Sequence, residues 1–199
     1  MNVKEYQQLL KRKLSSIYNG NIIDTEWRTK LSKEKAYSPR IDVAIGPFAI
    51  EERFIEIYNQ MYDNPKSIFF INKLYDYHCH NLGIIKDEEF IGKLKHFNEN
   101  ARCFMAIEIE NKVSAKHLLG GIVNASALSR VGILVPWNPG IYRASKRMIQ
   151  YFKFLKNVGK NTFDTKNVLI LFKEQLITAV NAVTHPSISI NIGLRHSPL

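Results

Sequence analysis

The sequence predicts an α/β domain in which helices flank a mixed central sheet. Short apolar runs alternate with amphipathic helical stretches along most of the chain. Two runs, VGILVPW and NVLILF, are continuously apolar, which is typical of strands buried on both faces. The chain contains no repeat, low-complexity tract or Pro/Gly-rich linker, so we expect residues 1–199 to form a single domain.

The first half of the chain is predicted to hold one helix, two strands and a helical insertion. In VKEYQQLLKRKLSSIY (3–18), apolar residues recur at three- and four-residue steps, and an Asn-Gly turn follows. IIDTEW is predicted as a strand. SPRIDVAIGPF contains a second strand, in which Ile41, Val43 and Ile45 alternate with Asp42. Residues 49–99 carry mainly helical patterns and form the insertion.

The second half alternates strands and helices. RCFMAIEIE predicts a strand over 102–110, and SAKHLLGGIVNASAL a helix that begins near a serine and carries small residues for close packing. VGILVPW, a helix over 140–158, NVLILF and the helix KEQLITAVNAV complete the chain. The predicted order is helix, three strands with the insertion between the second and third, then helix, strand, helix, strand, helix.

Charge is distributed unevenly along the chain. The 28 Lys and Arg against 18 Asp and Glu give a net charge of +10, but residues 41–112 carry 8 basic and 12 acidic side chains, while residues 113–199 carry 11 and 2. This pattern is typical of a polyanion-binding protein with a local cation site, although a basic surface kept for solubility explains the total equally well. Only two cysteines, no signal pattern and no apolar run near ~18 residues favour a cytoplasmic protein without a membrane partner.

Two carboxylates end the apolar strand at 102–110. Residues two apart on a strand point to the same side, so Glu108 and Glu110 share a face. If the strand of Asp42 is a neighbour in the sheet, three carboxylates would surround one point. Their repulsion would call for a hard cation such as Mg²⁺ or Mn²⁺. A divalent ion in a basic protein is suited to phosphodiester hydrolysis. The alternative is that the glutamates form salt bridges with Lys112 or Lys116.

The arrangement resembles the PD-(D/E)xK nuclease superfamily. The chain matches that family's order over about residues 1–137. An acid lies on one strand, and sixty-six residues later an apolar strand ends in an acid-x-charged triplet. A helix and a buried strand follow. The resemblance implies a restriction-endonuclease-like three-layer fold. It makes Asp42, in SPRID, and Glu108, in AIEIE, the metal ligands for Mg²⁺, for which Mn²⁺ may substitute.

The third motif position departs from the family pattern. The family's usual lysine falls on Glu110, although some restriction enzymes of the superfamily are similar in carrying an acid there. Lys112, in the triplet ENK, and Lys116, early in the next helix, are the two candidates to replace it. The family's further acid on the first helix would be Glu5. We expect the catalytic set Asp42, Glu108, Glu110 and Lys116.

The helix predicted over 140–158 supplies the expected nucleic-acid surface. Its apolar residues fall on one side, and an opposite arc carries basic side chains that could neutralise phosphates: Arg143, Lys146, Arg147 and Lys153.

The resemblance therefore implies a Mg²⁺-dependent deoxyribonuclease, an endonuclease of type II restriction kind acting on double-stranded DNA. Double-strand cleavage would favour a homodimer. Two alternatives stay open: a DNA-binding module that keeps the fold without the chemistry, for which the replaced lysine is the best argument, and a structural protein with salt-bridged acids.

Overall fold

The computed structural model describes residues 1–28 and 38–184, so residues 29–37 and 185–199 of the predicted 1–199 domain lie outside the described residues. Within them, the elements follow the predicted order. The helices are α1 (Val3–Leu14), α2 (Ile55–Asp63), α3 (Pro65–Leu82), α4 (Phe90–Lys95), α5 (Ala115–Leu128), α6 (Pro139–Asn157) and α7 (Lys173–Thr184). The strands are β1 (Ile23–Arg28), β2 (Arg40–Ile45), β3 (Cys103–Glu110), β4 (Ser129–Pro136) and β5 (Val168–Ile170).

The five strands form one mixed sheet in the order β1-β2-β3-β4-β5. The β1–β2 and β2–β3 pairs are antiparallel, and the β3–β4 and β4–β5 pairs are parallel. All eight residues of β4 and all three of β5 are buried, as their continuous apolar runs predict, and all eight residues of β3 are buried as well. The α/β class and the mixed sheet are therefore confirmed.

Helices pack on both faces of this sheet. On one face, α1, α3 and α7 bury a large core that includes Leu10, Leu74 and Val180 together with Ile107 of β3. On the other face, α5 and α6 cover a smaller cluster that includes Ile122. This arrangement is consistent with a three-layer α/β fold.

Local sequence signals explain where α1 begins and ends. Asn2 and Glu5 form a reciprocal capping box, in which each side chain accepts a hydrogen bond from the other residue's backbone amide. The helix ends at Leu14, four residues before the end of the predicted range. Ser15 and Ser16 donate their hydroxyls back to the Arg12 and Lys13 carbonyls, and such local hydrogen bonds compete with continued helix.

The insertion consists of α2, α3 and α4, as predicted for residues 49–99. Helices α2 and α4 lie against the start of β4, where Arg130 donates to Asn59 of α2 and to the Lys95 carbonyl of α4. Tyr62 joins the two helices through a hydrogen bond from its hydroxyl to the Ile91 carbonyl, 2.5 Å away. Helices α2 and α4 therefore close the end of the sheet opposite the carboxyl end of β3, while α3 packs on its face. Within residues 1–28 and 38–184, none of the helices combines the length and apolar character that crossing a membrane would require.

Candidate active site

Asp42 and the two glutamates lie on neighbouring strands. Val43 of β2 pairs with Ile107 of β3, so Asp42 and Glu108 are the next residues along this antiparallel ladder. The Ile109 amide, between the two glutamates in the chain, donates a 2.7 Å hydrogen bond to Asp42 Oδ2. The expectation that the two strands are neighbours is confirmed.

The sheet is irregular at Asp42. Val43 packs into the large core with α1, whereas Ile41 packs into a separate cluster with Ala44, on the other face. Glu26 of β1 stands opposite Asp42, because its neighbours Thr25 and Trp27 pair with Val43 and Ile41. Its φ is 57°, in the left-handed region. The alternation of side chains is therefore interrupted, which leaves the Asp42 carboxylate bonded to the backbone of β3.

A buried glutamine orients Asp42. Gln7 of α1 is 2% exposed, and its Nε2 donates to Asp42 Oδ1 and to Glu26 Oε1, both at 2.9 Å. Glu26 is held in turn by an ion pair of 2.7 Å with Arg40 Nε. Both oxygens of Asp42 thus accept a hydrogen bond, so the rotamer of this carboxylate is fixed before any ligand binds.

Glu108 is the least satisfied of the acids. Its side chain is buried, and Oε1 has no hydrogen-bond partner among the described residues. Burial raises the pKa of Glu108 well above its ordinary value, and the charges of Asp42 and Glu110 raise it further, while a hydrogen bond with Asn124 lowers it. A buried carboxylate oxygen without a donor is costly, and a bound cation would remove the cost.

Glu110 lies at the end of β3, against α5. Burial and, to a lesser extent, the charge of Asp42 raise the pKa of Glu110 to about 7. Burial also raises the pKa of Asp42, and the charge of Glu26 adds to that rise, while the Ile109 amide and Gln7 lower it. A methyl group at Gly121 would collide with Glu110 Oε1, so the glycine makes room for this carboxylate.

A cleft of about 570 Å³ opens beside the glutamates. Asp42 does not line this cleft. The residues that line it include Glu108, Glu110, Lys116, His117, Gly121 and Asn124. Lys116 is exposed in the first turn of α5. Lys112, the other candidate to replace the motif lysine, lines a different groove, between α5 and α6. Of these two lysines, the geometry therefore favours Lys116, and Arg28 and Arg40 line the same cleft.

The residues present fit a divalent ion held by two carboxylates. In the described part of the chain, no three His, Cys, Asp or Glu side chains are grouped as a metal site, so the expected convergence of three carboxylates on one point is not found. Mg²⁺, however, usually takes one or two carboxylates and completes its octahedron with water and substrate phosphate. Asp42 is near enough for its charge to raise the pKa of Glu108, and Glu108 Oε1 is unpartnered in the described part of the chain, so these two carboxylates would be the ones to hold such an ion.

The remaining predicted residues differ in their surroundings. Glu5 caps α1 and is exposed, so it does not join the acids. On α6, Arg143, Arg147 and Lys153 are exposed. Lys146 is half-buried and donates to the Leu82 carbonyl at 3.0 Å, so its ammonium is already partly engaged.

Sequence patterns did not identify Gln7, Glu26 or Asn124 as part of the site. One signal was present for Gln7, because it lies three residues before the buried Leu10, and a polar residue on the apolar face of a helix needs a partner. Glu26 and Asn124 carried no comparable signal.

Comparison of the chain with protein-family models, with curated proteins and with solved structures finds no match.

Proposed function

We propose that this protein is a Mg²⁺-dependent endonuclease that hydrolyses DNA phosphodiester bonds, of the type II restriction kind and with a restriction-endonuclease-like fold. The observation that carries the proposal is the buried Glu108 carboxylate, with one oxygen unpartnered, beside Asp42 and at the wall of a cleft. A purely structural carboxylate in such a place would be expected to have a donor for each oxygen.

Each residue of the site has a role in this reaction. A Mg²⁺ ion held by Asp42 and Glu108 would polarise a phosphoryl oxygen and acidify a water molecule. Glu110, with its pKa near 7, is suited to accept the proton of the attacking water at neutral pH. Lys116 would neutralise charge on the phosphoryl oxygens. The water oxygen bonds to phosphorus, the bond to the 3′ oxygen breaks, and that oxygen takes a proton from solvent, which leaves a 5′ phosphate.

The basic surface of α6 supports DNA as the substrate. Arg143, Arg147 and Lys153 are exposed on a helix that follows β4, next to the strand that ends in Glu110. Such residues bind phosphates without reading bases, so they would hold double-stranded DNA in a salt-dependent way. Cleavage of both strands would be completed most simply by a homodimer.

The test is cleavage of supercoiled plasmid with Mg²⁺ or Mn²⁺, and with EDTA as the blank. We expect cutting in the wild type and a loss of about a thousandfold in Asp42→Ala and Glu108→Gln, because several kcal/mol of charge stabilisation disappear with the metal. Lys116→Ala should cut more poorly than Lys112→Ala, because only Lys116 of these two lysines lines the cleft.

The same experiment can contradict the proposal. If the wild type binds plasmid but cuts it with neither metal, the catalytic role is wrong and a DNA-binding module that keeps the fold takes its place. Cutting that survives Asp42→Ala and Glu108→Gln would locate the activity elsewhere.

A further inference from the structure

A second concavity lies next to the cleft, between the start of α5 and one side of α6. Its volume is about 440 Å³, and its walls include Lys112, Val113, Leu118, Arg147, Met148 and Tyr151. We call it the α5–α6 groove. Of these side chains, the proposed function uses only Arg147, as a phosphate contact.

The chemistry of the groove is apolar with cations in its walls. Val113 is 74% exposed and Tyr151 is 54% exposed, although both are large and largely apolar. Lys112 and Arg147 contribute positive charge to the same groove. A nucleotide matches both properties together, because its base has a flat face that stacks on an aromatic ring and its phosphate pairs with cations.

An intact duplex does not match the groove as well. In a duplex, phosphates face outward and the bases are stacked on one another, so the apolar walls would gain little contact. A base that is unpaired and unstacked can enter the groove and cover Tyr151. Aromatic stacking of this kind tolerates any base, because every base has a π-face.

The groove lies close to the proposed active site. Lys112 is two residues after Glu110, and their Cα atoms are therefore at most about 7.6 Å apart. The first turn of α5 contributes Ala115 to the groove and Lys116 to the cleft. A strand with one phosphate in the cleft can therefore place a neighbouring nucleotide in the groove.

We infer that the α5–α6 groove binds an unpaired base of the DNA strand beside the bond that is cut. A double-stranded substrate would then have to unpair one base at that position, so a duplex with an unpaired segment there, or a single strand, should bind more tightly than a blunt duplex. This inference rests on the proposed function for the identity of the ligand as DNA.

The test measures binding rather than cleavage, with the full chain in EDTA. Fluorescence anisotropy is recorded with a labelled single strand, with its blunt duplex, and with the same strand carrying abasic sites. We expect Tyr151→Ala to weaken single-strand binding about tenfold, the usual effect of losing one stacked base, and to leave duplex binding unchanged. The wild type should bind the abasic strand about as weakly as the variant binds the normal strand.

Phe154→Ala is the matched control, because Phe154 is 58% exposed on the same helix and is not among the residues lining the groove. It should bind the single strand as the wild type does. The inference is overturned if Tyr151→Ala binds the single strand normally, if it weakens duplex and single strand equally, or if Phe154→Ala has the same effect. It is also overturned if Tyr151→Ala changes only self-association in sedimentation, which would make the groove an interface between copies.

The plasmid assay separates this outcome from the proposed nuclease activity. A chain that shows the Tyr151 effect but never cuts supports the groove and contradicts the nuclease. A chain that cuts with Mg²⁺ and binds single strands without Tyr151 contradicts the groove alone.

Discussion

The two ends of the β3–β4 pair both bury charge, but they do so in different surroundings. At the carboxyl end, Glu108 and Glu110 line an open cleft, and Asp42 lies behind them on the neighbouring strand, bonded to the Ile109 amide. At the amino end, Arg130 is fully buried, donates to Asn59 and to the Lys95 carbonyl, and lies 5.8 Å from the centre of the Tyr58 ring.

Neither end satisfies all of its polar atoms. Arg130 Nε and Nη2, like Glu108 Oε1, have no hydrogen-bond partner among the residues that the structure describes. The difference is access, because the insertion helices cover the arginine while the cleft leaves room for a ligand at the glutamates. An unsatisfied group beside a cleft indicates binding, and one enclosed by helices is a cost that the core must offset.

Arg130→Ala tests whether the buried charge at the amino end is structural, and it should have the largest effect on stability of the changes considered. We expect the free energy of unfolding to fall by about 4 kcal/mol, because a cavity forms and the bonds to α2 and α4 are lost. Both substitutions remove the buried charge, but Arg130→Met also keeps most of the side-chain volume. It should therefore cost much less, about 1 kcal/mol. Urea unfolding measures both values.

Plasmid cleavage below the unfolding temperature should be normal in both arginine variants. A loss of cleavage without a loss of stability would show that the amino end of the pair is functional, and the comparison would fail.

Glu110→Gln tests whether the carboxyl end is destabilising without metal. Because the pKa of Glu110 rises from 4.5 to about 7 on folding, the folded protein binds a proton between these values that the unfolded chain has released. Ionisation of Glu110 therefore destabilises the folded protein. As pH rises from 4.5 to above 7, this group alone lowers the free energy of unfolding by about 3 kcal/mol. Urea unfolding in EDTA at pH 5 and pH 8 should show a larger loss in the wild type than in Glu110→Gln, whose remaining loss comes from Glu108 and Asp42, because burial raises their pKa values too.

The exposed Glu174 provides the control, since Glu174→Gln should keep the wild-type pH dependence. Equal dependence in all three proteins would mean that Glu110 is not destabilised by burial. Mg²⁺ should restore stability at pH 8 in the wild type, because a metal binds the deprotonated carboxylates.

Gln7→Ala should have the smallest effect of the three changes. Gln7 is a positioning residue, so we expect kcat for plasmid cleavage to fall about tenfold with little change in KM. Because the Gln7 hydrogen bond lowers the pKa of Asp42, its loss should also move the pH profile of cleavage to higher pH.

Gln8→Ala is the matched control on the same helix, since Gln8 is exposed and donates only a 3.2 Å hydrogen bond to Thr25 Oγ1. It should cleave as the wild type does. A shared defect, or a Gln7 variant that loses stability and not kcat, would contradict the positioning role.

The acids of the site were accessible from the sequence because strand periodicity is local information. Glu108 and Glu110 are two residues apart at the end of an apolar run, and this spacing alone places them on one face. Asp42 required one further assumption, that its strand is a neighbour of β3, which the sheet order bears out.

The supporting residues depend on long-range packing and could not be predicted in the same way. Gln7 reaches Asp42 only because α1 packs across β1 and β2, and Glu26 contributes through an irregular φ that no local pattern announces. Arg130 was missed for a related reason. The predicted apolar strand began after it, whereas β4 begins at Ser129 and carries the arginine into the core.

The two consecutive glycines of α5 are subject to different evolutionary constraints. Around Gly120 the described chain leaves open space, so substitution there is limited mainly by helix propensity. At Gly121 even alanine would have to push aside the Glu110 carboxylate, a flexible group that can move without unfolding the protein. Selection at Gly121 would therefore preserve the geometry of one carboxylate rather than the fold, and a drifting descendant could lose its chemistry through this helix while remaining well folded.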